Sequence, residues 1–216
     1  MKLSEPEKTK IRELAAHVEA RTGVQVLTVV AGKSDTYPEI PWKAFALGAA
    51  LAALGVAAAA FLKPGWNLSP PLLPGIAILG TGMLLAAACI FLQPFARVFL
   101  AGERSAEETR QHAQTLFLER NLSRTPMRRA VLILVSLFER RTSIVADTGI
   151  VDRVTQAEIE NIAASMEAAL GGGRASAALT SGLPALEALL LRYGFASPGD
   201  KDDIEEELVE TEGPNS

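Results

Sequence analysis

Two aspartates, Asp35 and Asp147, are the residues best placed by type and position to do chemistry. Each follows a stretch that reads as a β-strand, and ligands of open α/β sheets sit just past strand ends. With a hydroxyl from Ser34, Tyr37 or Thr148, two carboxylates could hold a hard cation, Ca²⁺ or Mg²⁺, through oxygen. Such a cation polarises a phosphoryl oxygen and turns bound water into hydroxide, which is phosphatase chemistry. The plainer reading is a pair of solvated loop aspartates that cap turns.

The other chemical residues point away from catalysis. Asp147-Thr148-Gly149 has the form of an aspartic-protease triplet, but that mechanism needs two such aspartates sharing a proton, and the sequence holds one. Gly171–Gly173 lacks a following Lys-Ser/Thr, so it reads as a helix stop and not a phosphate loop. His17 and His112 fall within amphipathic helical patterns, far from any nucleophile motif. A single cysteine, Cys89, excludes a disulfide framework and a Cys-based zinc site.

Several elements must position these residues. Residues 4–21 read as a helix opened by a Ser4/Glu7 capping box, with Ile11, Leu14, Ala15 and Val18 on one face. Val24–Val30 reads as a β-branched strand. Ser105 and Glu108 read as the capping box of a second helix. Val131–Val135 is a continuous apolar run, the pattern of a central strand buried on both faces. Phe138-Glu139-Arg140-Arg141 turns the chain into an adjacent antiparallel strand, Thr142–Ala146. Thr155 and Glu158 cap a third helix, and a leucine-rich helix runs from about Ala175 to Tyr193. Together these predict a small α/β sandwich with helices covering a short sheet.

The 216 residues are 49% hydrophobic, with a formal net charge of −4 and a mean hydropathy of +0.21. The negative balance argues against nucleic acid as a partner, and the positive hydropathy means that apolar residues are concentrated somewhere. They lie between Ala44 and Phe99. Residues 44–62 carry no charge over about 19 residues, roughly 28 Å as a helix, and residues 72–92 form a second such run. Neither shows the polar stripe of a soluble core helix. Gly48 and Gly55, seven apart, would share a face for close packing.

This predicts a transmembrane hairpin across residues 42–99. Trp42 and Trp66 flank the first span, where an interfacial indole is favoured. Lys33, Lys43, Arg97, Arg104 and Arg110 lie on the outer flanks against Lys63 in the loop, so both termini are expected on the cytoplasmic side. Residues 1–21 carry alternating charges and no apolar core of a signal peptide. Arg128-Arg129 and Arg140-Arg141 are basic pairs that could meet anionic headgroups. Trp42, Lys43, Trp66, Arg97, Arg128 and Arg129 are therefore the expected membrane-surface residues. Residues 1–40 and 101–196 then form one domain divided by the hairpin. Residues 197–216, with eight acidic residues between Asp200 and Glu212, are expected to be a disordered acidic tail.

Three segments carry a resemblance. Leu116-Phe117-Leu118-Glu119-Arg120-Asn121-Leu122, then Val131-Leu132-Ile133-Leu134-Val135-Ser136-Leu137-Phe138-Glu139-Arg140-Arg141, then Ile144-Val145-Ala146-Asp147-Thr148-Gly149-Ile150, resemble the TPM domain of thylakoid and bacterial membrane-associated proteins. The similarity is to the bacterial branch of predicted membrane proteins in which a hairpin splits the domain. It implies an α/β sandwich in the bacterial inner membrane. It also implies one of two roles: acid phosphatase with an acidic, Ca²⁺-holding pocket, or accessory factor for a membrane complex. Where the family usually places a glycine before the central strand, this chain reads Met127-Arg128-Arg129-Ala130. The expected function is a non-enzymatic accessory or interaction factor whose partners are the lipid bilayer and a membrane protein complex. The alternative is a divalent-cation-dependent phosphatase at the membrane surface.

Overall fold

The computed structural model describes residues 3–62, 72–100, 102–125, 127–170, 174–196, 208–211 and 213. The chain divides into two units, Met1–Thr36 with Gly102–Ser216, and Tyr37–Ala101.

In the first unit, α1 (Glu5–Thr22) is opened by both hydrogen bonds of the Ser4/Glu7 capping box, and Gly23 stops it in the left-handed conformation, φ 66°. β1 (Gln25–Ala31) follows. Re-entry is through α5 (Gly102–Glu119), three residues before the expected cap. Ser105 is instead buried in the first turn, where its hydroxyl donates to Gly102 O at 2.8 Å. A short 3₁₀ turn (Leu122–Arg124) leads to β2 (Ala130–Ser136), buried at every position, and β3 (Arg141–Ala146) returns beside it. Then come the one-turn α6 (Thr148–Val151), α7 (Gln156–Ala169), opened by the Thr155/Glu158 box, and α8 (Ala175–Arg192). The Gly171–Gly173 stop lies outside the described residues.

The sheet order is β3-β2-β1-β4. β1 and β2 run parallel with Val26 opposite Val131, while β2 and β3 run antiparallel with Val131 opposite Ala146. Alternation along the two central strands sends residues to opposite faces. Val26, Val30, Val131, Ile133 and Val135 join α1, α7 and α8 in one core. Leu27, Val29, Leu132 and Leu134 join Ala113 and Phe117 of α5 in the other. The result is three helices on one face and one on the other, which is why the central strands are apolar throughout.

β4 (Leu208–Thr211) departs from the expected disorder of the acidic segment. It pairs parallel with β1, Thr28 opposite Leu208 and Ala31 opposite Thr211. The local pattern Leu-Val-Glu-Thr explains it. Leu208 is 7% exposed in the core, and Glu210 is held by the backbone N–H of Leu3 at 2.8 Å and by Lys8 at 3.1 Å.

The second unit holds α2 (Glu39–Leu62) and α3 (Leu72–Phe91), then the short α4 (Gln93–Ala96) and a 3₁₀ turn (Arg97–Phe99). Both long helices have the length and composition needed to cross a membrane. They pack closely at Gly48 and Gly82. A Cβ at Gly48 would stand 2.7 Å from Leu85 Cδ1, and one at Gly82 would stand 2.9 Å from the Phe45 ring. Gly55, expected to share this role, faces open space.

Candidate functional site

Parallel strands direct a site to their carboxyl ends, and here β1 and β2 end side by side. Leu137 N–H donates to Ala31 O at 2.9 Å and Phe138 N–H to Gly32 O at 3.0 Å, so the two segments stay paired past the ladder. The tight turn 137–140 closes with Arg140 in the left-handed region, φ 53°, and buries Glu139 at 7% exposure. One Glu139 carboxylate oxygen accepts the backbone N–H of Ser34 at 2.9 Å, and the other accepts the Ser136 hydroxyl. Ser34 is itself buried, and its Oγ has no hydrogen-bond partner among the described residues.

Asp35 stands next in the same loop. Its Oδ1 accepts the Thr36 N–H at 2.7 Å, and its Oδ2 lies 3.4 Å from Arg104 at the start of α5. His112, one face of α5 further on, is half-buried. Burial pushes its pKa down, opposed by the charges of Glu139 and Glu119. Its Nδ1 is buried without a partner among the described residues.

Asp147 is at the other end of the sheet. Because β3 runs antiparallel to β2, the end of β3 lies beside the start of β2, opposite Val26 and away from Ala31. A seven-residue strand spans about 20 Å, so Asp35 and Asp147 cannot share one cation, and the metal pair expected from the sequence is corrected here. Among the described residues no group of three or more His, Cys, Asp or Glu is gathered for a metal. Asp147 serves locally as the N-cap of α6. Its Oδ1 accepts the Thr148 N–H at 2.7 Å and lies 3.5 Å from Arg128 Nε. Its Oδ2 is buried with no hydrogen-bond partner among the described residues. Gly149 serves packing: a Cβ there would stand 2.7 Å from the carbonyl oxygens of both Met127 and Arg128. Ala130, in the place of the family glycine, is fully buried, and its carbonyl accepts the Asp147 N–H at 2.9 Å.

The remaining expected site residues are scattered. Arg128 pairs with Asp147, and Arg129 lies 5.4 Å over the Phe195 ring, so both are engaged at the Asp147 end. Trp42 is 72% exposed on α2, 6.2 Å from Phe45, and Lys43 beside it is exposed. Arg97 lies in the 3₁₀ turn, and Trp66 is outside the described residues. Glu139 was missed because a charged residue in a four-residue turn carries no sequence sign of burial. The sign available was its spacing, three residues after Ser136 at the end of an apolar strand.

A three-layer α/β unit, opened after its first strand to admit two long apolar helices, is the class that this fold defines. The family model of the TPM domain matches residues 96–189, from the end of the apolar pair to α8. In structure it is similar to the BA42 protein of the psychrophilic bacterium Bizionia argentinensis, solved by NMR. The TM-score is 0.57 at 12% identity over 97% of this chain and 96% of that one, a likeness of fold. No curated protein matches the sequence.

Proposed function

We propose that this is a membrane-anchored TPM-domain protein of the bacterial inner membrane. In this reading the α/β unit stands in the cytoplasm and serves as an interaction factor for a membrane protein complex. The observation that carries it is the character of α2 and α3. Leu47, Leu51, Leu54, Phe61, Leu72, Ile76, Leu79, Met83 and Leu84 are all between 46% and 85% exposed. Soluble proteins do not leave so large a contiguous apolar surface in water, whereas lipid covers it without cost. The basic residues on the outer flanks support cytoplasmic termini.

Headgroup contact is better assigned to Lys43, exposed beside Trp42 on α2, than to Arg128 and Arg129, which are bound to Asp147 and Phe195.

The phosphatase reading draws on Asp35 and Glu139, the two carboxylates that share a sheet end, with the unpartnered Ser34 hydroxyl beside them. One experiment separates the two. The full chain is prepared from membranes after alkaline carbonate washing and assayed on p-nitrophenyl phosphate with Ca²⁺ or Mg²⁺. Retention in the washed membrane and turnover equal in wild type, Asp35→Ala and Glu139→Gln is the expected result. Metal-dependent turnover lost in both variants would replace the interaction reading by the enzymatic one. Release by carbonate would remove the anchor from either.

A further inference from the structure

Among the described residues β3 is an edge strand with no strand paired on its outer side. In its antiparallel pairing with β2, residues 141, 143, 145 and 147 turn their backbone groups inward, as the Asp147 N–H to Ala130 O bond of 2.9 Å establishes. Thr142, Ile144 and Ala146 therefore point their N–H and C=O groups outward. The Thr142 N–H is occupied by a Glu167 carboxylate oxygen at 3.0 Å. No described residue accepts from the amides of Ile144 and Ala146. Native edges are blunted by lysine, proline, bulges or a covering element; Ser143–Ala146 holds no lysine or proline, its register with β2 is unbroken, and no described strand lies on its outer side.

This edge is the floor of a groove of about 500 Å³ walled by α5 on one face of the sheet and α7 on the other. Arg110 and Gln114 line the α5 wall; Gln156, Ile159 and Glu160 line the α7 wall. A second copy of this sheet would have to bring its own two flanking helices into the same space, so the occupant is a bare strand. The charges select its sequence. Arg110 is held by Glu107 through two bonds of 2.9 and 3.1 Å, and Arg141 is held by Glu167 at 2.9 Å. Glu160 accepts from the Gln156 amide at 3.1 Å and feels the charge of Arg110 on the facing wall, but among the described residues no cation bonds it directly, so its carboxylate still has room for a basic side chain.

We propose that the β3 edge is a β-augmentation site for an extended segment of a partner protein, its backbone bonding Ile144 and Ala146 and a basic side chain meeting Glu160 on the α7 wall. The proposal rests on the interaction-factor reading and gives it a surface. Recognition by main-chain bonds explains why the groove needs no catalytic residue, and alternation of side chains between the two walls sets a two-residue repeat.

The probe is a fluorescein-labelled, end-capped heptapeptide of alternating valine and lysine, titrated into the full chain in detergent micelles and read by anisotropy. A docked strand bonds β3 along one edge only. Of two peptides N-methylated at the odd or the even positions, one is therefore expected to lose binding and the other to keep it. Glu160→Gln, an exposed change, should weaken binding by about two- to fivefold, the range of one exposed ion pair. Glutamate in place of lysine should weaken it further. Amide exchange should slow at Ile144 and Ala146 and stay unchanged at Ser143 and Val145.

Equal binding of the two N-methylated peptides, or no slowing at Ile144 and Ala146, overturns the proposal. So does a concentration-dependent dimer that protects those amides without peptide, which would make the occupant a second copy. A partner that copurifies with wild type and equally with Ala146→Pro and Glu160→Gln defeats the groove while leaving the interaction reading in place.

Discussion

Glu139 accepts the backbone N–H of Ser34 at 2.9 Å across 105 residues of sequence. This bond joins the loop that leaves β1 to the turn that follows β2, so it closes the α/β unit across the inserted apolar pair. Burying a carboxylate is costly unless its oxygens are satisfied, and Ser34 and Ser136 supply one donor to each oxygen.

Glu139→Ala should therefore lower stability by about 1–3 kcal/mol, since it strands the buried Ser34 N–H and the Ser136 hydroxyl. Glu139→Gln keeps an oxygen for the Ser34 N–H and should lose clearly less. Thermal unfolding of the detergent-solubilised chain, followed by circular dichroism, compares the two. Equal losses would mean that the charge, and not the acceptor, is what the turn requires.

At the opposite end, the Asp147 carboxylate caps α6. Asp147→Ala should cost about 0.5–2 kcal/mol and Asp147→Asn much less, the ranking of a cap. Added Ca²⁺ should move the unfolding temperatures of wild type and Asp147→Asn alike, because Asp35 stands about a strand length away. A Ca²⁺ shift seen only with Asp147 present would contradict that.

Gly149→Ala should destabilise by about 1–3 kcal/mol. Its Cβ would stand 2.7 Å from two backbone carbonyls, neither of which can move aside as a flexible side chain could. Unfolding within a few tenths of a kcal/mol of wild type would show that the 127–128 loop yields.

These residues also mark what could be read in the sequence. The strands were legible because Val131–Val135 is apolar on both faces and Thr142–Ala146 follows a four-residue turn. The helices were legible because Ser4/Glu7 and Thr155/Glu158 are capping boxes and their apolar residues keep one face. The candidate site was legible only residue by residue. Asp35 and Asp147 each follow a strand, but which end of the sheet each occupies depends on strand direction, and adjacent carboxyl ends require β1 and β2 to be parallel. That pairing joins segments a hundred residues apart and leaves no local pattern. β4 was obscured for another reason, since charge dominated the reading of a stretch whose Leu208 and Val209 pack on the two cores.

β4 gives a sharp test of that correction. Leu208→Ala should cost about 2 kcal/mol, at the low end for a buried leucine because the strand is short and at an edge. Truncation after Ala196 should cost more, since it also uncovers the β1 edge and removes Glu210 from Leu3 and Lys8. Unfolding unchanged by truncation is the result expected of an unstructured tail and would restore that reading.

The last prediction concerns acid. Glu7 joins α1 to α8 through the Ser176 hydroxyl. That bond, followed by those from the Ser4 hydroxyl and backbone, lowers its pKa from 4.5 to about 2. A depressed carboxylate stabilises the fold wherever it is ionised in both states, and the benefit drains as pH falls, because the unfolded chain takes up its proton first. The stability difference between wild type and Glu7→Gln should be flat above about pH 5 and shrink between 4.5 and about 2. Ser176→Ala removes the largest of the three causes, so in that background the window should narrow from its acid side. A difference that stays constant from neutral pH to pH 2 would mean that Glu7 acts through packing and the helix cap, not through its charge.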